Sequence, residues 1–182
     1  MSKMRAVATL LLLISVTAAE AQYPFGYSNS GRPASPFPSS APTGPPGSLA
    51  RAMLEAHNAV RARVGVPPLA WSAQLAADAQ KWASRLIATN EFAHQPDGRY
   101  GENLYGISGG AASPGQVVAA WAKEARDYDL RRDTCSGVCG HYTQLVWRAT
   151  HNVGCGVASD PEREIWVCEY DPPGNFAGYR PY

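Results

Sequence analysis

Residues 154–170, GCGVASDPEREIWVCEY, decide the fold of the C-terminal part of this 182-residue chain. Within this stretch Ile165 and Val167 point to one side while Trp166, Cys168 and Tyr170 point to the other, as in a β-strand. Residues 154–159 form the expected partner strand, because the Asp-Pro-Glu-Arg segment at 160–163 suits a type I turn. The sequence therefore predicts an antiparallel hairpin.

The predicted hairpin has a consequence for the four cysteines. It sets Cys155 directly opposite Cys168, and facing residues in adjacent antiparallel strands lie close enough for a disulfide. This pairing leaves Cys135 and Cys139 to close a small loop. A zinc site made of cysteines is the alternative, but the spacing is not that of paired C-x-x-C motifs.

Upstream of the hairpin, apolar residues recur at helical spacing in three segments. The helices are expected from a cap at Ser48 to about residue 64, from a cap at Ser72, and from Ser113 with Pro114 in the first turn. The expected buried positions are Leu49, Met53, Ala56, Val60 and Val64, then Leu75, Ala79, Trp82 and Leu86, then Val117, Val118, Trp121, Ala125 and Tyr128. Helices followed by a hairpin predict a layered α+β domain.

The N-terminal residues are typical of an export signal. Basic residues precede an apolar run, and a small-residue site follows it, so residues 1–21 are the expected signal peptide. Residues 22–47, rich in Pro, Ser and Gly, predict a flexible linker, and residues 48–182 predict one domain. The apolar run is too short for a membrane helix, so no transmembrane segment is expected.

Charge and export limit the classes of partner. Cleavage after Ala21 would leave 14 basic and 14 acidic residues, so the sequence lacks the basic excess typical of nucleic-acid binding. We expect a secreted, extracellular protein. In a double-membraned bacterium, the same signal would be compatible with the periplasm.

Three segments carry residues suited to chemistry. Glu124 falls on the predicted buried stripe of the third helix, where it is either a group aimed into a cleft or a structural residue bonded to a tyrosine or a backbone amide. His141 follows a predicted disulfide loop at the expected start of a helical turn, and His94 precedes a predicted short strand at 100–104 that contains Glu102. No HExxH, GxSxG or GxGxxG motif is present.

Two longer stretches resemble signatures of the CAP superfamily, the cysteine-rich secretory, antigen 5 and pathogenesis-related proteins. They are GHYTQLVWRAT at 140–150 and CEYDPPGNF at 168–176, where Glu169 stands in place of an asparagine that many members have. Supporting matches are HNAVR at 57–61, PLAW at 68–71 and GENL at 101–104. The pattern is most similar to plant pathogenesis-related and to bacterial or fungal single-domain members.

The resemblance implies an α-β-α sandwich with a small antiparallel sheet and a central cleft. It implies a metal-binding set of His94, Glu102, Glu124 and His141, and bridges that agree with the two pairings above. The chain lacks the third bridge of the plant proteins and the cysteine-rich extension of the animal ones. Ion-channel activity that depends on that extension is therefore not expected.

Three functions are compatible with these residues. The first is a secreted binding module that holds Zn²⁺ or another divalent cation in the cleft, with a sterol or fatty acid as a further ligand and a host or microbial surface as partner. The second is a metal-assisted hydrolase in which Glu124 or Glu102 is the general base and His141 steadies the charge. The third is a surface recognition module whose polar residues only order the core. We favour binding over catalysis.

Overall fold

The computed structural model describes residues 47–96 and 98–182. The expected signal peptide and all of the expected linker except Gly47 lie outside the described residues. The helices are α1 (Ser48–Arg63), α2 (Ala73–Thr89), α3 (Pro114–Ala122) and α4 (Gly140–Leu145), with a 3-10 turn at Lys123–Asp127. The strands are β1 (Ala70–Trp71), β2 (Gly101–Ser108), β3 (Tyr128–Asp129), β4 (Thr134–Cys135), β5 (Asn152–Ser159) and β6 (Arg163–Asp171).

A four-stranded sheet with the order β1-β5-β6-β2 forms the centre of the domain. Strands β5 and β6 form the expected hairpin, in which Cys155 faces Cys168. Strand β2 extends the sheet antiparallel to β6. It begins one residue later than the predicted strand at 100–104 and continues to Ser108. The short strand β1 runs parallel to β5, so the sheet is mixed rather than wholly antiparallel.

Helices cover both faces of this sheet. On one face Ile165 and Val167 pack with Leu104 against α2. On the other face Trp166, Cys168 and Tyr170 pack with buried residues of α1, α3 and α4. The alternation read from residues 165–170 is confirmed, and the three layers are the α-β-α sandwich that the resemblance implied.

Helix α2 lies directly on the backbone of β5. A methyl group added at Gly154 would lie 2.1 Å from the backbone nitrogen of Ala76, and one added at Gly156 would lie 2.4 Å from the Cα of Gln80. Both distances are far below van der Waals contact. Glycine at these two positions therefore lets the helix approach the sheet this closely.

The helix ends follow most of the sequence expectations. Ser72 caps α2 by accepting a hydrogen bond from the amide of Leu75, and Ser113 forms a capping box with Gln116 at the start of α3. The expectation for α1 was wrong by one residue, since Gly47 is the N-cap and makes no side-chain cap bond. Gly65 follows α1 with a φ of 69°, a conformation that glycine adopts without strain.

Six of the expected buried positions are not fully buried. Ala56 and Val64 of α1 are partly buried against the core, and the other four have structural reasons. Helix α3 ends at Ala122, so Ala125 falls on the 3-10 turn and Tyr128 on β3, and both are only partly buried. In α2, Ala83 takes the fully buried position while Trp82 is partly exposed, because its indole donates to the carbonyl of Ala93 at the surface. In α1, Leu49 is exposed one residue from the helix start.

Both expected disulfides are formed. Cys155 joins Cys168 across the hairpin inside the core, and Cys135 joins Cys139 in an exposed loop before α4. All four cysteines are thereby used, so the cysteine-zinc alternative does not apply to this structure. Among the described residues, no helix combines the length and the apolar character of a membrane span.

A fully buried arginine joins α1 to the segment that follows α4. The guanidinium of Arg61 donates to the backbone carbonyls of Pro67, Leu145, Trp147 and Thr150 at 2.7–3.1 Å. Burial lowers its pKa to about 10, which leaves it charged at neutral pH. These bonds fix the position of α4, whose first turn carries His141.

Candidate functional site

The first half of the candidate site is a pair formed by Glu124 and His141. Oε1 of Glu124 lies 2.6 Å from Nδ1 of His141, while its Oε2 accepts bonds from the amides of His141 at 2.9 Å and Tyr142 at 3.1 Å. The ring of His141 also stacks on that of Trp121, with 6.3 Å between centroids. Glu124 thus bonds to backbone amides, as its structural interpretation predicted. It also contacts a histidine, which suits its functional interpretation as a group aimed into a cleft.

The position of Glu124 depends on the end of α3. The 3-10 turn that begins at Lys123 follows α3 directly, and it carries Glu124 toward the first turn of α4. The side chain is 16% exposed, which agrees with the sequence expectation that it points inward. The sequence analysis placed Glu124 on the buried stripe of the third helix. That reason was wrong, because α3 ends at Ala122, before Glu124.

The second half of the candidate site is a pair formed by His94 and Glu102. Oε1 of Glu102 lies 2.6 Å from Nδ1 of His94 and accepts a bond from the amide of Gln95 at 3.1 Å. Glu102 is held on β2 and is only 8% exposed, whereas His94 lies in a loop and is 54% exposed. Oε2 of Glu102 is buried and has no hydrogen-bond partner among the described residues.

Asn103 connects the two pairs. It follows Glu102 on β2, and its Nδ2 donates to the backbone carbonyl of His141 and to the hydroxyl of Tyr170, both at 3.1 Å. Strand β2 thus carries Glu102 and also holds the first turn of α4 in place. The two halves of the site are tied together by one amide side chain.

The same bonds extend into the core through His57. The Tyr170 hydroxyl lies 2.9 Å from Nε2 of His57, and Nδ1 of His57 lies 2.7 Å from the carbonyl of Met53. A carbonyl only accepts, so Nδ1 carries the proton and Nε2 accepts from Tyr170. Burial lowers the pKa of His57 to about 4 and raises the pKa of Tyr170, so both groups are neutral.

The two site histidines share a chemical arrangement. In each, Nδ1 faces a glutamate, which favours a proton on Nδ1 and leaves a lone pair on Nε2. Carboxylates commonly orient metal-binding histidines in this way. Among the described residues, however, no three of the four side chains offer atoms that all lie within 4.8 Å of one another.

A different cluster meets that distance criterion, but it is unsuited to a metal. It consists of His57, Cys155 and Cys168. The two sulfurs are bonded to each other and so are not thiolates, and both nitrogens of His57 are already hydrogen-bonded. Packing alone brings these three residues together in the core.

Sequence reasoning missed two residues that support the site. Asn103 was noted only within the predicted short strand and the GENL match, and Tyr170 only on one side of a strand and within the CEYDPPGNF stretch. The available signal was a buried asparagine predicted within a strand, which must find partners for its amide. Those partners lie 38 and 67 residues away, so spacing alone did not identify them.

The chain belongs to the CAP family. The model of the cysteine-rich secretory protein family matches residues 54–170, which include both His–Glu pairs. Pathogenesis-related protein 1A of Nicotiana tabacum is 46% identical over 132 residues, an alignment that spans 71% of this chain and 78% of the relative. The resemblance seen in the two signature stretches is thus confirmed.

Solved structures show the same fold. Venom allergen-like protein 4 of Schistosoma mansoni is 26% identical, with a TM-score of 0.60 over 75% of this chain and 94% of that one. NaASP2, in a crystal structure with Zn²⁺, is 22% identical in sequence to this chain. The TM-score is 0.62, over 78% of this chain and 89% of that one. The second likeness concerns the fold alone.

Proposed function

We propose that this protein is an exported CAP domain that binds one divalent cation, Zn²⁺ in the first place, between its two His–Glu pairs. The observation that carries the proposal is the matched geometry of the pairs, each with a carboxylate oxygen 2.6 Å from Nδ1 of its histidine. Nε2 of His94 and of His141 would be the cation ligands. Zinc accepts imidazole nitrogen readily.

The glutamates have different environments in this proposal. Glu124 already contacts two amides and a ring nitrogen, so it would orient His141 rather than coordinate the cation directly. Glu102 keeps one buried oxygen without a partner among the described residues, and a nearby cation would compensate that oxygen. The donor set therefore fits zinc, provided that the exposed His94 side chain turns toward His141.

Catalysis is the weaker alternative. A general base needs a free oxygen that water can reach. Both oxygens of Glu124 are in use, and Oε2 of Glu102 has no partner among the described residues but is buried. Sterol or fatty-acid binding is also weaker, because two cavities formed by the described residues are open and lined partly by charged side chains, Lys81 and Arg85 in one and Arg163 and Glu164 in the other. The name of the tobacco relative, pathogenesis-related protein 1A, supports a defence-type role outside the cell. Binding to a host or microbial surface would be part of that role.

The test is a calorimetric zinc titration of the metal-stripped protein at neutral pH. We expect one Zn²⁺ per chain, and we expect His94→Ala and His141→Ala each to abolish measurable binding. Glu124→Gln should weaken binding by about 10- to 100-fold, as loss of an orienting carboxylate does. Each variant is checked for folding by circular dichroism.

His151→Ala is the matched control, because His151 is exposed and belongs to neither pair. It should bind zinc as the unaltered protein does. If folded His94→Ala and His141→Ala proteins still bind zinc with unchanged affinity, the proposed site is wrong. If replacement of Glu124 or His141 lowers stability and the intact protein binds no cation, the pairs serve only to order the core.

A further inference from the structure

One of the two disulfides lies beside the candidate cation site. It joins Cys135 to Cys139, and Cys139 is the N-cap residue of α4. The carbonyl of Cys139 accepts hydrogen bonds from the amide of Thr143 at 2.9 Å and from its hydroxyl at 3.0 Å. His141 lies between these two residues, on the first turn of the helix. The bridge therefore ends where the turn that carries His141 begins.

The other end of the bridge belongs to the segment that carries Glu124. The 3-10 turn that contains Glu124 leads directly into β3, and β3 pairs with β4, where Tyr128 faces Cys135. Glu124 in turn contacts the ring and the amide of His141. The bridge thus joins the two elements that hold the members of this pair.

The loop between the two cysteines lies at the surface. Ser136, Gly137 and Val138 are exposed, and the amide of Ser136 donates to the carbonyl of Asp127 at 2.8 Å. Opening the bridge would return backbone freedom to residues 136–139. Helix α4 has only six residues, and a helix this short is not stable on its own. The position of its first turn therefore depends on connections to other elements, of which the bridge is the covalent one.

Cys135 is the end of the bridge that a small thiol reaches, because it is exposed whereas Cys139 is buried. A thiolate attacks Sγ of Cys135, the bond between the two sulfurs breaks, and Cys139 leaves as a thiolate that takes up a proton. A second small thiol attacks the mixed disulfide and releases Cys135. The bridge is thereby reduced to two thiols, while two small thiols are oxidised to one disulfide.

We infer that the Cys135–Cys139 bridge is a redox switch for the cation site, which small thiols such as glutathione open. This control rests on the cation binding proposed above. In the opened form, His141 is held less firmly against Glu124 and must be ordered when the cation binds. The bonds from Glu124 and Asn103 to the first turn of α4 remain, so binding weakens rather than disappears. We expect an affinity for Zn²⁺ about tenfold lower.

Calorimetric zinc titration of the full chain tests the switch in three forms. The first is the unaltered protein, the second is the protein opened by glutathione and alkylated with iodoacetamide, and the third is Cys135→Ser with Cys139→Ser. Alkylation and serine both prevent free thiols from binding zinc themselves. The two forms without the bridge should bind Zn²⁺ about tenfold more weakly than the unaltered protein.

Val138→Ser is the matched control, because it alters the same exposed loop and keeps the bridge. It should bind Zn²⁺ as the unaltered protein does. Circular dichroism checks that each form is folded.

Amide hydrogen exchange gives a readout that does not depend on zinc. The amides of His141 and Tyr142 donate to Glu124, and they should exchange at least tenfold faster in the double serine variant than in Val138→Ser. The amides of β5 and β6 should exchange at the same rate in both, since the central sheet is not part of the switch.

Four results would overturn this inference. Glutathione could fail to open the bridge in the folded protein, or the opened forms could bind zinc with unchanged affinity. Equal exchange of the His141 and Tyr142 amides in both variants would show that the bridge does not hold this turn. Faster exchange in β5 and β6 as well would show that the bridge stabilises the whole domain rather than the site. If the unaltered protein binds no zinc, the proposed function itself is wrong, and the control of zinc binding fails with it.

Discussion

A neutral histidine is built into the middle of the core at position 57. Its side chain is fully buried, and both ring nitrogens are engaged, one by the carbonyl of Met53 and one by the hydroxyl of Tyr170. Its pKa is lowered to about 4, whereas an unfolded histidine titrates near 6.5. Protonation therefore favours the unfolded chain.

The sign and size of this pH effect follow from linkage. Above pH 6.5 the histidine is neutral in both states, so it contributes no pH dependence there. As the pH falls from 6.5 to 4, the unfolded state takes up the proton first, and the free energy of unfolding falls by about 3 kcal/mol from this group. The folded state takes it up only near pH 4 and below.

We expect His57→Gln to remove this part of the pH dependence. Urea unfolding gives the free energy of unfolding of the unaltered protein and of the variant at pH 7 and at pH 4. The variant should lose less stability between pH 7 and pH 4 than the unaltered protein does. The variant should also be less stable at pH 7, because the Tyr170 hydroxyl loses its ring-nitrogen acceptor. An equal loss for the two proteins between pH 7 and 4 would contradict the buried neutral state.

At this scale the sequence predicted the candidate site residues but not the residues that support them. His94, Glu102, Glu124 and His141 were expected from the resemblance, and the structure joins them as two pairs. The sequence analysis noted His57 and Arg61 only as part of the HNAVR match and predicted a buried polar role for neither. Arg61 bonds carbonyls up to 89 residues away, so its role depends on the complete fold.

Helix α2 packs closely on strand β5 at two glycines. Gly154 and Gly156 sit under the helix backbone with no room for a side chain. Sequence reasoning assigned the strand correctly from its turn and its partner. It could not show that a helix lies over those two glycines, because strand periodicity does not indicate which element covers a face.

Gly156→Ala is expected to lower the free energy of unfolding by about 3 kcal/mol, the cost of forcing a methyl group into a closely packed interface. The added carbon would meet the backbone of Gln80, which moves only if α2 moves. Chemical denaturation followed by circular dichroism measures the change.

Gly115→Ala provides the matched control for this prediction. Gly115 lies in α3 with nothing within 4 Å of an added Cβ. Alanine there should leave stability unchanged or raise it by up to about 1 kcal/mol, since alanine favours helix. If Gly156→Ala and Gly115→Ala change the free energy of unfolding by the same amount, α2 does not pack on β5 as closely as described.

On the scale of the whole molecule, the two disulfides differ in exposure. Cys155 and Cys168 are both buried between layers of the sandwich, whereas the five-residue loop joins the exposed Cys135 to the buried Cys139. Both pairings were predictable from the sequence, because the hairpin turn sets the register that joins Cys155 to Cys168. The difference in exposure between the two disulfides was not predictable, since it depends on which elements cover each cysteine.

We expect a mild reductant to open the Cys135–Cys139 bridge while the domain stays folded. Thiolate must reach a sulfur to attack it, and in the native state only the loop bridge is accessible. Alkylation followed by peptide mass spectrometry should find Cys135 and Cys139 modified well before Cys155 and Cys168. Simultaneous modification of all four, with native circular dichroism retained, would contradict this order.

The bonds that run from Met53 through His57, Tyr170 and Asn103 to His141 matter to anyone who would transplant this site into another scaffold. Copying only the two histidines and two glutamates would leave the carbonyl of His141 without the amide that holds it. A successful graft would have to bring along a strand residue, a tyrosine from the neighbouring strand and helix α1, which lies on the same face of the sheet as α4. The transferable unit is therefore a cross-section of the domain rather than a set of four side chains.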